Sequence, residues 1–103
     1  MAQVEIAYTM VDITEEGYLT DPSQWNEEIA KAIADDIGID LTDKHMAVLM
    51  FLREKHEQGE ALTIRKVGKS GIVDIKGLYK LFPGGPLKYS SKIAGIPKPV
   101  SCV

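Results

Sequence analysis

The C-terminal stretch, residues 86–103, contains the prolines and the glycine that restrict the fold of this chain most tightly. Pro86 suits the first turn of a helix, because its missing N–H would have no partner there in any case. Gly95 suits the left-handed conformation that closes a helix. The stretch therefore predicts a short helix over residues 86–94.

Two further prolines, Pro97 and Pro99, follow this helix. Each fixes its own φ angle and lacks a backbone donor, so neither a helix nor a central strand can continue through them. We expect residues 95–103 to form an extended, mobile arm. The only cysteine of the chain, Cys102, lies on this arm one residue from the C-terminus, where burial is least expected and a partner has the easiest access. A single accessible thiol in this position indicates a carrier of a chemical group rather than a turnover enzyme.

The remainder of the chain predicts a mainly α domain of the α+β class, in which a small N-terminal β-hairpin packs on about five helices. The length of 103 residues is enough for one core and too short for two. Weak alternation over residues 4–8, a β-compatible run over residues 10–13 and a turn at residues 15–17 indicate the hairpin. The start signals of the helices are, in order, Asp21, Thr42, Thr63, Asp74 and Pro86.

Apolar spacing of three and four residues predicts which face of each helix is buried. The first helix is expected to follow directly on Asp21-Pro22, to bury a face that begins with Trp25, and to end at Gly38. The second is expected over residues 43–58 and the third over residues 63–67. The fourth, residues 75–82, has four apolar residues on one side: Ile75, Leu78, Tyr79 and Phe82.

Charge is distributed unevenly along the chain, although the net charge is only −3. Residues 1–60 carry 14 acidic and four basic side chains, whereas residues 61–103 carry eight basic side chains and one acidic one. The two halves could attract each other within the fold, or the basic half could steer an acidic protein partner. The residues that we expect to dock a partner are Arg65, Lys66, Lys76, Lys80, Lys88, Lys92 and Lys98.

A DNA-binding function is the main alternative that the sequence itself leaves open. The helices over residues 63–67 and 75–82 resemble a helix-turn-helix, and Lys76 and Lys80 lie one turn apart on the second of them. No Arg, Asn or Gln that could read bases lies within residues 74–82, so the pattern favours a solvated basic face.

Other kinds of site have weaker support. Gly68-Lys69-Ser70 lacks the first glycine and the strand of a phosphate-binding loop, and His45 and His56 with one cysteine do not make a zinc set. A penultimate cysteine cannot be held rigidly as a protease nucleophile, although it could be an incidental tail residue. We expect no cofactor and no metal. A cytoplasmic protein without a membrane segment is expected, since no apolar run or signal peptide is visible.

The C-terminal motifs resemble those of the DsrC/TusE family, which comprises the gamma subunit of dissimilatory sulfite reductase and the related sulfur-relay protein of tRNA thiolation. The motifs are Leu81-Phe82-Pro83, Gly85-Pro86, the run over residues 92–99 (KIAGIPKP) and the final Cys102-Val103. Looser similarity lies around Gly17-Tyr18-Leu19, Trp25, His45 and Phe51-Leu52-Arg53.

The resemblance implies a sulfur-relay protein that carries sulfur as a persulfide on Cys102, in tRNA thiolation or dissimilatory sulfur metabolism. It also implies a sulfurtransferase or sulfite-reductase-type complex as a partner, and a downstream acceptor protein. Relatives linked to sulfite reductase have a second cysteine where this chain has Ser91, so an internal disulfide is impossible here. A docking or regulatory role on the same scaffold, without sulfur transfer, is the alternative.

Overall fold

A computed structural model describes residues 2–98 of the chain. Two strands, β1 and β2, form an antiparallel sheet and five helices follow, with a short 3-10 turn at Pro22–Gln24. The elements are β1 Ala2–Ile6, β2 Thr9–Ile13, α1 Glu27–Ile37, α2 Asp43–Glu57, α3 Ile64–Gly68, α4 Ile75–Leu81 and α5 Pro86–Ile93. The predicted fold class, a hairpin with five helices, is confirmed.

The hairpin turns at Ala7 and Tyr8, which both adopt left-handed φ angles, 50° and 65°. Two-residue turns with positive φ at both positions match the twist of paired strands, although they usually contain Asn or Gly. Neither Ala7 nor Tyr8 is a residue type that predicts such a turn. The predicted turn at residues 15–17 is also present, and it brings Leu19 back to pair with Ile13.

The first long helix begins later than the sequence predicts. Asp21 caps only the 3-10 turn, through a bond from the Ser23 amide, and Trp25 lies between this turn and α1. The side chain of Asn26 caps α1 by accepting a bond from the Ile29 amide at 2.9 Å. The expectation that Trp25 belongs to the first helix is therefore wrong, because two good capping residues lie five positions apart and the later one starts the helix. Gly38 ends α1 with a φ of 94°, as expected.

Thr42 and His45 together cap α2 and connect it to the end of α4. The Thr42 side chain accepts from the His45 amide, and the Thr42 amide donates to Nδ1 of His45 at 3.1 Å. Nε2 of His45 lies 2.8 Å from the Leu81 carbonyl oxygen, which can only accept, so Nε2 carries the proton. His45 is buried against Phe82 and has the structural role that the sequence favours.

The core lies between the hairpin and the helices and includes buried residues from most of these elements. Its largest fully buried side chains are Tyr18, Phe82, Leu19, Ile29, Leu49, Leu52, Leu78, Leu87, Ile93 and Ile96. The four apolar residues on one side of α4 differ in burial: Leu78 and Phe82 are buried, but Ile75 and Tyr79 are 46% and 48% exposed. In the part of the chain that the structure describes, no helix is long and apolar enough to cross a membrane.

Candidate functional site

The end of α5 fixes the position of Gly95 and Ile96, which begin the C-terminal segment. Gly95 adopts a φ of 71°, and a β-carbon at this position would overlap the indole of Trp25. Only glycine meets both conditions without a shift of its neighbours. The next residue, Ile96, is 1% exposed and belongs to the core.

Trp25 and Arg53 bind the last carbonyl groups of α5. The indole Nε1 of Trp25 donates to the Ile93 oxygen at 2.8 Å, and Nη1 of Arg53 donates to the Ala94 oxygen at 2.7 Å. Nη2 of Arg53 donates to the Pro22 oxygen at 2.9 Å, and the guanidinium lies 4.2 Å from the centre of the Trp25 ring. A cation and an indole N–H thus satisfy carbonyls that a helix C-terminus leaves without partners. Burial lowers the pKa of Arg53, although a guanidinium stays charged in proteins.

The sequence did not predict this clamp, which we define as Trp25 and Arg53 on the end of α5. Trp25 was interpreted as a core residue of the first helix, and Arg53 was noted only for its resemblance to the family. The bonds join residues 41 to 68 positions apart, and no local pattern reports such contacts. A tryptophan just before a helix, together with a lone arginine among the apolar residues of α2, was the available signal.

These contacts correct one part of the prediction that residues 95–103 form an arm. Gly95 and Ile96 are packed in the domain, because Gly95 lies against Trp25 and Ile96 is buried. Pro97 is half-buried and Lys98 is exposed. Cys102 and the rest of residues 99–103 lie outside the described residues, so the mobility of the arm stays a prediction.

Three of the predicted docking lysines surround one carboxylate, that of Glu16. Nζ of Lys98 lies 2.9 Å and 3.1 Å from the two carboxylate oxygens of Glu16. The hydrogen bond from Lys98 lowers the pKa of Glu16, and the charges of Lys98, Lys88 and Lys92 lower it further. Lys92 also lies over the ring of Tyr18, at 5.3 Å. This group forms a basic cluster at the base of the C-terminal segment.

The other predicted docking residues lie on and beside α3 and α4. Arg65 and Lys76 line one groove, and Lys80 lines an adjacent groove that shares Gly68 and Asp74 with the first. Lys66 instead forms an ion pair with Glu60 at 3.6 Å. The structure therefore divides the predicted docking set into a group on α3 and α4 and a group around Glu16.

Ser91, where some relatives have a second cysteine, is fully buried in α5. Among the described residues its hydroxyl has no hydrogen-bond partner. No group of three or more His, Cys, Asp or Glu side chains that could bind a metal ion occurs within residues 2–98.

Comparison with known proteins gives one consistent family. The family model described as DsrC like protein matches residues 5–103. Sulfurtransferase TusE of Escherichia coli (strain K12) is 41% identical over 101 residues, which cover 90% of this chain and 93% of the relative. Sulfurtransferase TusE of Salmonella typhimurium is 44% identical over 96 residues, covering 85% of this chain and 88% of the relative.

Solved structures agree with this assignment. The oxidized gamma subunit of dissimilatory sulfite reductase (DsrC) from Archaeoglobus fulgidus has a TM-score of 0.82 and 33% identity, covering 99% of this chain and all of the other. DsrC of Allochromatium vinosum has a TM-score of 0.81 and 34% identity, covering 98% and 97%. The names of these relatives give no support to the DNA-binding alternative. The chain belongs to the DsrC-like protein family.

Proposed function

We propose that this protein is a sulfur-relay carrier that accepts and passes on sulfur as a persulfide on Cys102. The observation that carries the proposal is Cys102, the single cysteine of this chain. The relatives of the chain are named as sulfurtransferase and sulfite reductase proteins. The clamp on α5 supports it, because it fixes the point from which the cysteine-bearing segment starts. A thiol attached to a rigid base by a short proline-containing segment is suited to entering a partner's cleft.

The proposed step is a thiol–persulfide exchange. The Cys102 thiolate attacks the outer sulfur of a donor persulfide, the sulfur–sulfur bond of the donor breaks, and the donor's inner sulfur leaves as a thiolate. One sulfur atom and one proton move to Cys102, and no external oxidant or reductant is needed. The same exchange in the next complex transfers the sulfur to an acceptor thiolate.

Lysines near the base of the segment favour the reactive form of the thiol. A nearby positive charge stabilises a thiolate and lowers its pKa. Lys92 and Lys98 are the closest candidates along the chain, but Lys98 shares its charge with Glu16. We therefore assign a larger electrostatic contribution to Lys92 than to Lys98.

The proposed partners are a sulfurtransferase or a sulfite-reductase-type complex as the donor, and a downstream protein as the acceptor. The chain has Ser91 in place of a second cysteine, so release by an internal disulfide is impossible and the acceptor must supply its own thiol. This requirement favours the single-cysteine, TusE-like mode. The cytoplasm, where thiols stay reduced, is the proposed location.

Intact-mass measurement after incubation with a persulfidated sulfurtransferase tests the proposal. We expect one added sulfur, about 32 Da, on the wild-type protein and none on Cys102→Ser, because sulfur adds only to a thiolate. Ser91→Ala is the matched control and should load fully, since a buried hydroxyl cannot hold persulfide sulfur. Failure of Cys102 to gain sulfur from any donor tested, or full function of Cys102→Ser in cells, would overturn the carrier function.

A further inference from the structure

Two large apolar side chains, Ile75 and Tyr79, remain exposed on α4. They lie four residues apart, so they are neighbours on one face of this helix. Their exposed fractions are 46% and 48%, whereas Leu78 on the same helix is completely buried. Exposed apolar residues that lie next to each other, with charged residues around them, are typical of interaction sites.

A groove of about 560 Å³ lies beside Ile75, between the end of α3 and the start of α4. Its lining residues are Arg65, Gly68, Lys69, Asp74, Ile75 and Lys76. The adjacent groove, about 590 Å³, shares two of these residues and adds Lys44 and Lys80 from its other side. We call Ile75, Tyr79 and the two grooves the α4 surface.

The α4 surface is strongly basic. Five cations contribute to it, and in the described part of the chain none of them has an ion-pair partner within 4.0 Å. They are Lys44, Arg65, Lys69, Lys76 and Lys80. The single acidic residue, Asp74, uses its carboxylate as the cap of α4, by accepting from the Gly77 amide. The charge of the surface is therefore available to a partner.

The backbone beneath the α4 surface is closely packed. A β-carbon at Gly68 would lie 2.6 Å from Cγ1 of Ile75, so α3 and α4 approach each other there as closely as glycine allows. Gly77 is equally close to Val73. These contacts fix the backbone that carries Ile75 before a partner arrives, which reduces the entropy lost on binding.

We propose that the α4 surface docks an acidic protein segment with an apolar side chain, on the protein that gives sulfur to Cys102 or takes sulfur from it. This inference rests on the proposed function. Ile75 and Tyr79 bind the apolar side chain, and the cations attract the acidic residues around it. Complementary charge mainly raises the association rate, whereas a buried aromatic anchor mainly lowers the dissociation rate.

A protein partner accounts for the α4 surface better than a nucleic acid does. A phosphate backbone would use the lysines but would leave Ile75 without an apolar contact. An acidic segment with one apolar residue matches both the cations and the exposed side chain of Ile75.

Binding of designed peptides tests the α4 surface without any sulfur chemistry. The probe is a short peptide of glutamates around one leucine, and its controls replace the leucine by serine or the glutamates by lysines. We expect amide NMR signals of α3 and α4 to shift with the first peptide, at least tenfold weaker binding with the serine peptide, and none with the lysine peptide. If the leucine peptide and the serine peptide bind equally well, the α4 surface does not bind an apolar side chain.

Variants of the protein separate the two parts of the surface. With the donor that loads Cys102, Tyr79→Ala should raise the dissociation rate about tenfold. Lys76→Glu with Lys80→Glu should slow association and largely remove its salt dependence, because the cations and carboxylates of the surface then balance. Met50→Ser on α2 removes an equally exposed apolar residue and is the matched control, as is Lys31→Glu on α1 for charge. Both should behave like the wild type.

Each outcome distinguishes this inference from the carrier function. All variants should react with a small thiol reagent at Cys102 at the wild-type rate. If Cys102 loads with sulfur at the same rate in every α4 variant, the α4 surface is not the docking site but the carrier function stands. If the peptides bind as expected but Cys102 never loads, the docking surface stands without sulfur transfer. Tighter binding to a generic DNA duplex than to the acidic peptide would assign the surface to nucleic acid.

Discussion

Gly95 is the residue on which the geometry of the C-terminal segment depends most directly. It combines a left-handed φ with a close approach to Trp25, and Arg53 holds the carbonyl just before it. A change at Gly95 would therefore act on the backbone and on the clamp together. Arg53 also connects the end of α5 to the segment before α1, through Ala94 and Pro22.

Gly95→Ala should lower the free energy of unfolding by about 2–4 kcal/mol. About 1 kcal/mol or slightly more comes from the left-handed backbone, and the remainder comes from the collision with Trp25. Gly59→Ala is the matched control, because Gly59 has a similar φ of 76° but nothing within 4 Å of an added β-carbon. Urea unfolding of both variants measures the difference. Equal destabilisation of the two would show that the contact with Trp25 contributes nothing.

Individual elements also show what local sequence signals can and cannot predict. Thr42, Thr63, Asp74 and Gly38 were identified as helix caps or stops, because capping depends on neighbours within four residues. The predicted start of α1 was wrong because the side chains of Asp21 and Asn26 can both cap a helix. For α4 the spacing predicted the shared side of the apolar residues but not their burial, because the periodicity of a seven-residue helix does not tell which of them lie against the core.

The candidate site was predictable only where it depends on position in the chain. Cys102 follows from being the single cysteine near the terminus, and the basic half follows from counting charges. The clamp of Trp25 and Arg53 joins three distant segments, so it could not be predicted from any one of them. The position of Ile96 could not be predicted either. The prolines that follow it predict an arm, but its side chain packs in the core.

The β1–β2 turn is an element whose stability can be improved. Replacing Ala7-Tyr8 with Asn-Gly should raise the free energy of unfolding by about 1 kcal/mol, because these residues adopt positive φ angles with little strain. Tyr8→Ala is the control: it removes a side chain that is 96% exposed but keeps the strain, so stability should hardly change. Thermal unfolding compares the variants. A lower midpoint for Asn-Gly would mean that the left-handed turn is not strained.

On the scale of the whole molecule, part of the charge asymmetry is neutralised inside the fold. Glu16 in the acidic half lies among Lys88, Lys92 and Lys98 of the basic half, and Glu60 pairs with Lys66. The cations of the α4 surface have no such partner within the described residues. Attraction between the two halves is therefore present around Glu16, whereas steering of a partner by the basic surface on α4 stays a prediction.

The Glu16–Lys98 pair predicts a specific dependence of stability on pH. The pKa of Glu16 is lowered in the folded protein, so the pair stabilises the fold above the ordinary carboxyl pKa of about 4.3. This contribution is lost as the pH falls through the lowered pKa. Lys98→Met should therefore unfold at a lower temperature than the wild type at neutral pH, and the difference should shrink in acid.

Carboxyl NMR titration gives the direct measurement. The pKa of Glu16 should rise towards its ordinary value in Lys98→Met, because the hydrogen bond from Lys98 contributes most to its lowering. Lys31→Met, a change of an exposed lysine on α1, is the control and should leave the pKa of Glu16 unaltered. An unchanged pKa in Lys98→Met would show that the pair does not persist in solution.

The burial of Ile96 sets an upper limit on how deep a partner's reactive centre can lie. Since Ile96 is held in the core, the predicted arm of the proposed carrier would have only the five steps from Pro97 to Cys102 with which to reach a partner. A fully extended chain covers about 17–18 Å in five residues. A partner sulfur deeper than this could be reached only if the partner's opening were wide enough to admit the body of the domain itself. In the proposed carrier, the length of the C-terminal segment thus limits the partners to those whose reactive sulfur lies within this distance of the domain.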